Sequence, residues 1–295
     1  MAHRPFFLTA KVAGVPAEAI HLTALHETVL SPSDPPLGEV VSVVRRHRKL
    51  ARFGAVLVNL PYYDAYAQTL ARRALGIARP PSRWGEMLHR TGASERVLAA
   101  LLTRVRDGRA SWGAGGPGGD EVLAVALGHA SHLAVDDIAH PMIHRIARAR
   151  SRALGTTEDR EHELVETTQS AIFHERYHGR DAIGTARLLA ELDVEARDIV
   201  EDDRWWRLIA GVMTEAFREA PSRGELGRWV RGYRQRALLL ASPLGRLVAP
   251  RGAREEAFEA LYLNRSFDFE ALFMEAQRAS KAKVEEAYAL GRGDG

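Results

Sequence analysis

The segment GHASHLAVDDIAHPMIH, residues 128–144, decides the fold of this chain and carries its most distinctive side chains. His132, Asp136 and His140 recur at every fourth position within it. At about 100° per residue, a helix points such a set into one narrow sector of its circumference. The residues between them are mostly apolar, so the segment predicts a helix that is buried on several sides. Buried ionisable groups need partners, and a metal ion suits histidine and aspartate well.

The spacing of these side chains predicts more than one metal ion. Ligands lie about 2 Å from a zinc ion, whereas four helical residues rise by about 6 Å. His132 and His140 are separated by about 12 Å along the axis, so we do not expect them to share an ion. Asp136 lies between them and can bridge with its two oxygens, while His129 and His144 fall on the same face of the helix. Sites with two or more metals are typical of phosphoester hydrolysis.

The composition excludes several other kinds of site. The chain has 295 residues, of which 27% are charged and 46% hydrophobic, the balance of a globular protein with ample core. The net charge is +3 and the arginines are scattered, which argues against an obligate nucleic-acid binder but leaves nucleic acid open as a substrate. Because the chain has no cysteine, His, Asp and Glu must hold any metal.

Helical periodicity runs through almost the whole chain, and alternating strand-like segments are hard to find. Proline- and glycine-rich segments separate the periodic stretches. The predicted helices span about 17–30, 38–56, 60–76, 82–90, 94–107, 120–139, 158–176, 182–199, 203–219, 223–241, 253–263 and 267–290. We therefore expect an all-α protein, a single multi-helix domain over 1–295. The C-terminal helices of 183–295 are poor in histidine and are expected to be scaffold.

The sequence gives little indication of a membrane or export segment. No stretch approaches the roughly 18 consecutive apolar residues of a membrane span. The N-terminal residues 1–19 weakly imitate a secretory signal, but Lys11 interrupts their short apolar core. We expect a cytoplasmic protein, with secretion as the less favoured alternative. No obligate protein partner is evident.

Candidate ligands also lie outside the central segment. His162 and Glu166 stand four residues apart in EHELVETT, on a predicted helix, and offer one nitrogen and one oxygen donor. His89 lies at a predicted helix end, from which a side chain can reach inward. His21 and His26 are five residues apart and face different directions, so we expect at most one of them to reach a common site.

The sequence resembles a known family in several segments. GHASHLAVDDIAHP looks like the G-x-x-x-H-x-x-x-D-x-x-x-H-P core of the zinc-dependent phospholipase C family, which shares its fold with fungal single-strand nucleases. GAVLVNLPYYDAY, WGEMLHRTG and HELVE extend the resemblance in the same order. GRWVRGYR and LLLASPLGRL resemble the C-terminal half of bacterial members. The resemblance spans most of the chain, and the first segment is its specific part.

The resemblance implies an all-helical domain with two or three zinc ions at the bottom of a cleft, mainly within residues 20–170. One zinc would be held by His89, His132 and Asp136. Another would be held by His140, His162 and Glu166. Asp136 would bridge towards a third ion held by His21 or His26. The substrate would be a phosphodiester, either a phospholipid, with transient contact to a membrane surface, or a nucleic acid.

The sequence departs from the family pattern at one position that matters for catalysis. Asn59 stands where the family usually has an aspartate, and Asp64 in LPYYDAY is the nearest carboxylate. Water at a metal site needs a carboxylate that positions or deprotonates it. We predict that Asp64 acts as this base or as a metal ligand, and the sequence leaves both roles open.

Two other functions remain open. HERYH at 174–178 matches the H-E-x-x-H motif of zincin metalloproteases, with His174, Glu175 and His178 at the motif positions. No obvious third ligand follows it, and the extended form of the motif is absent. The other alternative is a metal-stabilised helical domain without catalysis, which Asn59 keeps open.

Overall fold

Helices dominate the computed structural model of the chain, which describes residues 18–30, 38–74, 82–107, 116–194 and 196–293. They contain 81% of the described residues. The only described strands, β1 (Leu263–Asn264) and β2 (Phe267–Asp268), form one short antiparallel hairpin. The all-α prediction is therefore confirmed, whereas the metal cluster at the bottom of a cleft stays a prediction.

The helices, together with one short 3-10 helix, follow one another through the described residues with short connections. In chain order they are α1 (Glu18–Leu30), α2 (Glu39–Arg46), α3 (Arg48–Val56), the 3-10 helix η1 (Leu60–Tyr63), α4 (Tyr66–Ala74), α5 (Arg83–Leu88), α6 (Ala93–Asp107), α7 (Gly119–Leu154), α8 (Glu158–Tyr177), α9 (Ala186–Leu192), α10 (Ala196–Glu201), α11 (Asp203–Phe217), α12 (Arg223–Ala241), α13 (Gly245–Val248), α14 (Arg251–Leu261) and α15 (Phe269–Arg292).

Several boundaries differ from the predicted ones. The helix predicted over 38–56 is two helices, because His47 leaves the helical conformation between α2 and α3. The helix predicted over 182–199 is likewise divided into α9 and α10. α7 was expected to end at 139, but it continues through Pro141 to a length of 36 residues. A proline inside a helix costs about 3 kcal/mol, and the burial of apolar side chains along α7 outweighs that loss.

The chain divides into two compact units. The first comprises the described residues of 1–20, 138–192 and 237–274, and the second those of 21–137, 193–236 and 275–295. The division passes through α1, α7, α12 and α15, so each of these helices contributes to both units. The prediction of a single domain over 1–295 stays a prediction.

Each unit has its own helix packing. In the second unit, α6 packs against α11, and the fully buried Phe53, Leu57 and Leu123 belong to its core. In the first unit, α14 packs against α8 and the β hairpin follows α14. There the buried amide of Gln169 donates to the carbonyl oxygen of Leu261 over 2.6 Å, which joins α8 to the end of α14.

One described helix, α7, is long and apolar enough to cross a membrane by length and composition alone. In its most apolar window of 18 residues, 83% is buried inside the protein. Packing therefore accounts for its apolar character. The localisation prediction rests on residues 1–19, of which residues 1–17 lie outside the described part of the chain. Residues 75 and 76, the last two of the helix predicted over 60–76, lie outside it as well.

Candidate metal centres

Two glycines let α3 and α7 approach each other backbone to backbone in the second unit. A Cβ atom at Gly128 would lie 1.8 Å from the carbonyl oxygen of Ala51. One at Gly54 would lie 2.1 Å from the carbonyl oxygen of Val125. No side chain fits at either crossing point, so glycine is required on both helices. This approach brings the last carbonyl groups of α3 within reach of side chains on α7.

His132 is fixed by this close approach. Its Nδ1 lies 2.7 Å from the carbonyl oxygen of Ala55. A carbonyl oxygen can only accept, so Nδ1 carries the proton and Nε2 of the neutral ring carries the lone pair. The ring is 0% exposed, and Nε2 lies 3.0 Å from Oδ2 of Asp136. A histidine that donates one ring nitrogen to a backbone carbonyl and directs the other inward has the usual arrangement of a metal ligand.

α1 brings a second histidine to the same carboxylate. His21 Nε2 lies 3.4 Å from Asp136 Oδ1. The His21 ring stacks on the His132 ring with their centroids 3.8 Å apart. One donor atom from each of the three residues lies within 4.8 Å of the others. We call His21, His132 and Asp136 the central site.

The central site offers suitable donor atoms for a cation. Nε2 of His132 and Oδ2 of Asp136 are both acceptors, so a proton or a metal ion must lie between them. Protonating both stacked rings would place two positive charges 3.8 Å apart in a buried site, which low-dielectric surroundings strongly oppose. Donor atoms of a tetrahedral zinc site are about 3.3 Å apart. His132 lies 3.0 Å from one oxygen of Asp136 and His21 lies 3.4 Å from the other, and one donor atom from each residue lies within 4.8 Å of the others. Small adjustments of these side chains would therefore let them share a zinc ion.

The structure directs only one of the two candidate histidines of α1 to this site. His26 is 49% exposed, and its Nδ1 lies 3.2 Å from a carboxylate oxygen of the neighbouring Glu27. The five-residue separation accounts for the difference, because it places His21 and His26 on different faces of α1.

His89 does not belong to the group of donor atoms that forms the central site. It ends α5, where its Nδ1 lies 2.8 Å from the carbonyl oxygen of Gly85. Its Nε2 lies 3.0 Å from Oδ1 of Asn59, the residue that replaces the expected aspartate. The structure therefore pairs His89, which the resemblance assigns to zinc, with the neutral amide of Asn59.

Arg228 binds Asp64, the carboxylate predicted to act as base or ligand. Its Nε donates to Oδ1 over 2.9 Å, and a second guanidinium nitrogen lies 3.4 Å from Oδ2. Asp64 follows η1 and is 34% exposed. Among the described residues, Asp64 belongs to none of the groups of converging metal donors.

The second predicted ligand set is assembled within the first unit. His140 Nε2 lies 3.8 Å from Oε1 of Glu166, and His162 Nε2 lies 4.0 Å from Oε2. The two rings meet edge to face at 5.3 Å between centroids. The three side chains are between 21% and 25% exposed. We call His140, His162 and Glu166 the accessible site.

The two remaining histidines of the central segment have different surroundings. His144 is 51% exposed, and its ring centroid lies 4.5 Å from that of His162 in the accessible site. His129 is 0% exposed and donates from Nε2 to the carbonyl oxygen of Ser94 over 2.9 Å. Burial lowers the pKa of His129 to about 4, so the ring is neutral at pH 7. His129 is therefore a core histidine of the second unit.

A third group of metal donors lies where the H-E-x-x-H motif was found. His174 and His178 converge with Glu191 of α9, and one donor atom from each lies within 4.8 Å of the others. Sequence reasoning missed Glu191, because it follows a turn and shares no helical spacing with the motif. Burial, and then the neighbouring His178, lowers the pKa of His174, which keeps the ring neutral as metal binding requires.

The glutamate of this motif is bound elsewhere in the first unit. Arg254, which is 2% exposed, lies with one guanidinium nitrogen 3.1 Å from Oε2 of Glu175 and 2.7 Å from Oδ2 of Asp181. Arg251 approaches the other oxygen of Glu175 at 3.4 Å. In zincin proteases this glutamate is the general base. Here two arginines bind the carboxylate, which argues against that role.

Comparison with known proteins gives no further assignment. No protein-family model matches the chain, and neither a curated protein nor a solved structure matches it. The family resemblance stays a prediction carried by the quoted segments, and the donor groups are the structural evidence on function.

Proposed function

We propose that this protein is a zinc-dependent hydrolase of phosphodiester bonds, similar in chemistry to phospholipase C, that uses the central and accessible sites. The observation that carries the proposal is the buried His132, which Ala55 orients and whose Nε2 lies 3.0 Å from Asp136. Each site offers three protein ligands, all His or carboxylate. Three such ligands are typical of catalytic zinc, which keeps a fourth position open for water or substrate.

The protein residues have separable tasks in this proposal. When bound, zinc ions act as Lewis acids on phosphoryl oxygens and make bound water more acidic. The Ala55 carbonyl keeps the proton of His132 on Nδ1, so that Nε2 stays available to the metal. His21 and His132 are at most 3% exposed, so solvent hardly reaches these two ligands. Asp136 is 17% exposed and supplies the charge on the side that solvent reaches.

A basic depression beside the accessible site supports an anionic substrate. It has a volume of about 440 Å³, and its lining includes His144, Arg145, Arg148 and Arg152, of which Arg148 is paired with Glu158. Guanidinium groups suit phosphate oxygens well, because their planar donors match phosphate geometry. Phospholipids and nucleic acids share this phosphodiester chemistry. The choice of phosphodiesters within the anionic substrates rests on the sequence resemblance.

A specific observation favours the second candidate, a metal-stabilised helical domain without catalysis. Arg228 binds Asp64, the carboxylate predicted to act as base, in a two-point ion pair. In the catalytic proposal Asp64 must leave Arg228 before it can take a proton. Half-exposed ion pairs contribute at most about 1 kcal/mol, so a substrate phosphate that binds Arg228 could release it. The zincin alternative receives no such support, because two arginines bind Glu175.

The experiment compares two neighbouring aspartates of α7. Asp136→Asn keeps the size but removes the charge of the ligand, whereas Asp137→Asn makes the same change at an exposed position. Hydrolysis of bis-nitrophenyl phosphate and zinc content are measured for both variants and for the wild type. We expect Asp136→Asn to lose activity by about 100-fold or more and to bind less zinc. Asp137→Asn should resemble the wild type.

Three results would contradict the catalytic proposal. Full activity in Asp136→Asn would exclude the central site as the catalytic centre. A wild type that binds zinc and gains thermal stability from it, yet hydrolyses no phosphodiester in a panel of lipids and nucleic acids, would establish the non-catalytic candidate. Cleavage of casein that Glu175→Gln abolishes would establish the protease instead.

A further inference from the structure

Two imidazole rings converge on one carboxylate oxygen at the junction of α8 and α9, within the first unit. His174 Nε2 lies 2.6 Å from Oε2 of Glu191, and His178 Nε2 lies 4.0 Å from the same atom. The ring centroids of the two histidines are 4.5 Å apart. A hydrogen bond between His174 and Glu191 accounts for the first distance. The four-residue spacing at the end of α8 brings the His178 ring to the same oxygen, so three possible metal donors converge there.

The local fold holds this arrangement in place. α8 ends at Tyr177 with His178 as its C-cap, and the following chain turns through Gly179 and Gly184, both with positive φ. The N–H of Gly184 donates to the carbonyl oxygen of Leu240 over 2.7 Å, which anchors the turn within the first unit. A Cβ at Gly184 would meet the Arg246 side chain at 2.9 Å. The turn therefore returns α9 to the end of α8 in one defined position.

Glu191 is oriented by a residue of its own helix. Arg187 lies four residues earlier on α9 and donates from Nε to Oε1 of Glu191. This contact occupies one carboxylate oxygen and leaves Oε2 facing the two histidines. A ligand carboxylate that is itself hydrogen-bonded is the usual construction of a metal site.

We propose that His174, His178 and Glu191 form a zinc site, the α8–α9 site, which stabilises the junction of the two helices and does not hydrolyse peptides. Two histidines and one glutamate are an established ligand set for zinc. Donor atoms of a tetrahedral site are about 3.3 Å apart, so adjustments of less than about 1 Å to the present distances suffice. The site lacks hydrolytic function because Arg251 and Arg254 bind Glu175, the only acid of the motif.

Zinc content measured by elemental analysis tests this site on the full-length protein. His178→Gln removes the most exposed of its three ligands and leaves the bond between His174 and Glu191 intact. We expect this variant to bind one zinc per chain fewer than the wild type, with unchanged hydrolysis of bis-nitrophenyl phosphate. The control is His26→Gln, an equivalent change at an exposed histidine, which should keep the full zinc content. Because the measurement counts zinc, it stays informative if the protein hydrolyses no phosphodiester.

Hydrogen exchange on the wild type gives a second test that requires no variant. Zinc should slow amide exchange over residues 186–192 relative to metal-free protein, by a factor on the order of 100 at a zinc concentration 100 times the dissociation constant. In His178→Gln, the same addition of zinc should leave exchange of these amides unchanged. Unaltered zinc content in both His178→Gln and Glu191→Gln would overturn the proposal. So would wild-type exchange over α9 that zinc does not slow.

Discussion

The central site and the accessible site use the same donor types but are built differently. In the central site, His21 and His132 are at most 3% exposed, and the backbone carbonyl of Ala55 orients one ring. In the accessible site, all ligands are between 21% and 25% exposed, and the nitrogen-to-oxygen separations are 3.8 Å and 4.0 Å. Main-chain packing therefore helps to organise the first site before metal arrives, whereas the second site is more exposed and its donor atoms lie further apart.

The difference originates in a pair of glycines, Gly54 and Gly128, which allow the close crossing of α3 and α7. Ordering a flexible side chain on binding costs about 0.5–1.5 kcal/mol. The close crossing of α3 and α7 at Gly54 and Gly128 already holds the His132 ring in one orientation, so metal binding has less of this side chain left to order. His140 and Glu166 must still move towards each other when a metal binds. We therefore expect the central site to bind zinc more tightly.

The largest effect is expected from Gly128→Ala, because this change disrupts the crossing of α3 and α7 that orients His132. Its Cβ would lie 1.8 Å from the Ala51 carbonyl oxygen, so α3 and α7 must separate. We expect the free energy of unfolding to fall by about 3 kcal/mol, as for overpacked cores, and the zinc of the central site to be lost. Urea denaturation and elemental analysis measure both quantities.

The matched control for this change is Gly119→Ala, at the start of the same helix. Its Cβ would come no closer than 4.0 Å to the Val105 carbonyl oxygen. Stability and zinc content should stay at the wild-type level. If Gly128→Ala behaved in the same way, the backbone crossing could not be what orients His132.

The next prediction compares the zinc affinities of the two sites directly. In His178→Gln, which is expected to lack the α8–α9 zinc, titration with a competing chelator should remove zinc in two steps. The dissociation constants of the two steps should differ by a factor on the order of 10–100, the effect of an orienting partner. His132→Gln should abolish the tight step, and Glu166→Gln the weak step. Loss of the tight step in Glu166→Gln would show that the accessible site, and not the central site, binds zinc more tightly.

Part of this organisation follows from the sequence, and the reason is that helical spacing is local. The 3.6-residue period predicts that His162 and Glu166 share one face of α8, and the structure brings both to His140. It also predicts that His21 and His26 diverge. Apolar residues between the ligands of α7 predict its burial, which the structure confirms for His132.

The remainder depends on contacts between distant segments. Nothing in the spacing predicts that Ala55 orients His132, because a backbone carbonyl has no sequence signature. Glu191 reaches His174 only after the chain turns through two glycines. Arg228 binds Asp64 across 164 positions of sequence, which no local pattern could predict.

The free energy of unfolding should also depend on pH, because His129 is buried in the core of the second unit. The pKa of His129 falls from 6.5 to about 4 on burial, so the unfolded chain binds a proton that the folded chain does not. The contribution of His129 to stability is therefore fully present above pH 6.5 and is lost as the pH falls towards 4. For metal-free protein we expect this residue alone to lower the free energy of unfolding by about 2 kcal/mol between pH 7 and pH 5.

Urea denaturation of the metal-free protein at a series of pH values measures this dependence. His129→Gln is the control, because its side-chain nitrogen can still donate to the Ser94 carbonyl oxygen but does not titrate. The variant should lose stability less steeply between pH 7 and pH 5. An equal slope in wild type and variant would show that His129 is not the neutral core histidine described above.

The smallest effect is expected at the other histidine of α1. His26 is 49% exposed and contacts only its neighbour Glu27 among the bonds described for it. His26→Ala should change the free energy of unfolding by no more than about 0.5 kcal/mol, as at most surface positions. It should also leave zinc binding at the central and accessible sites unchanged. His21→Ala should abolish the tight step, because it removes a ligand of the central site. Chelator titration of the two variants side by side measures the contrast. The opposite result would require α1 to be rotated about its axis by about 140°, the angle between positions five residues apart, and would place His26 rather than His21 beside Asp136.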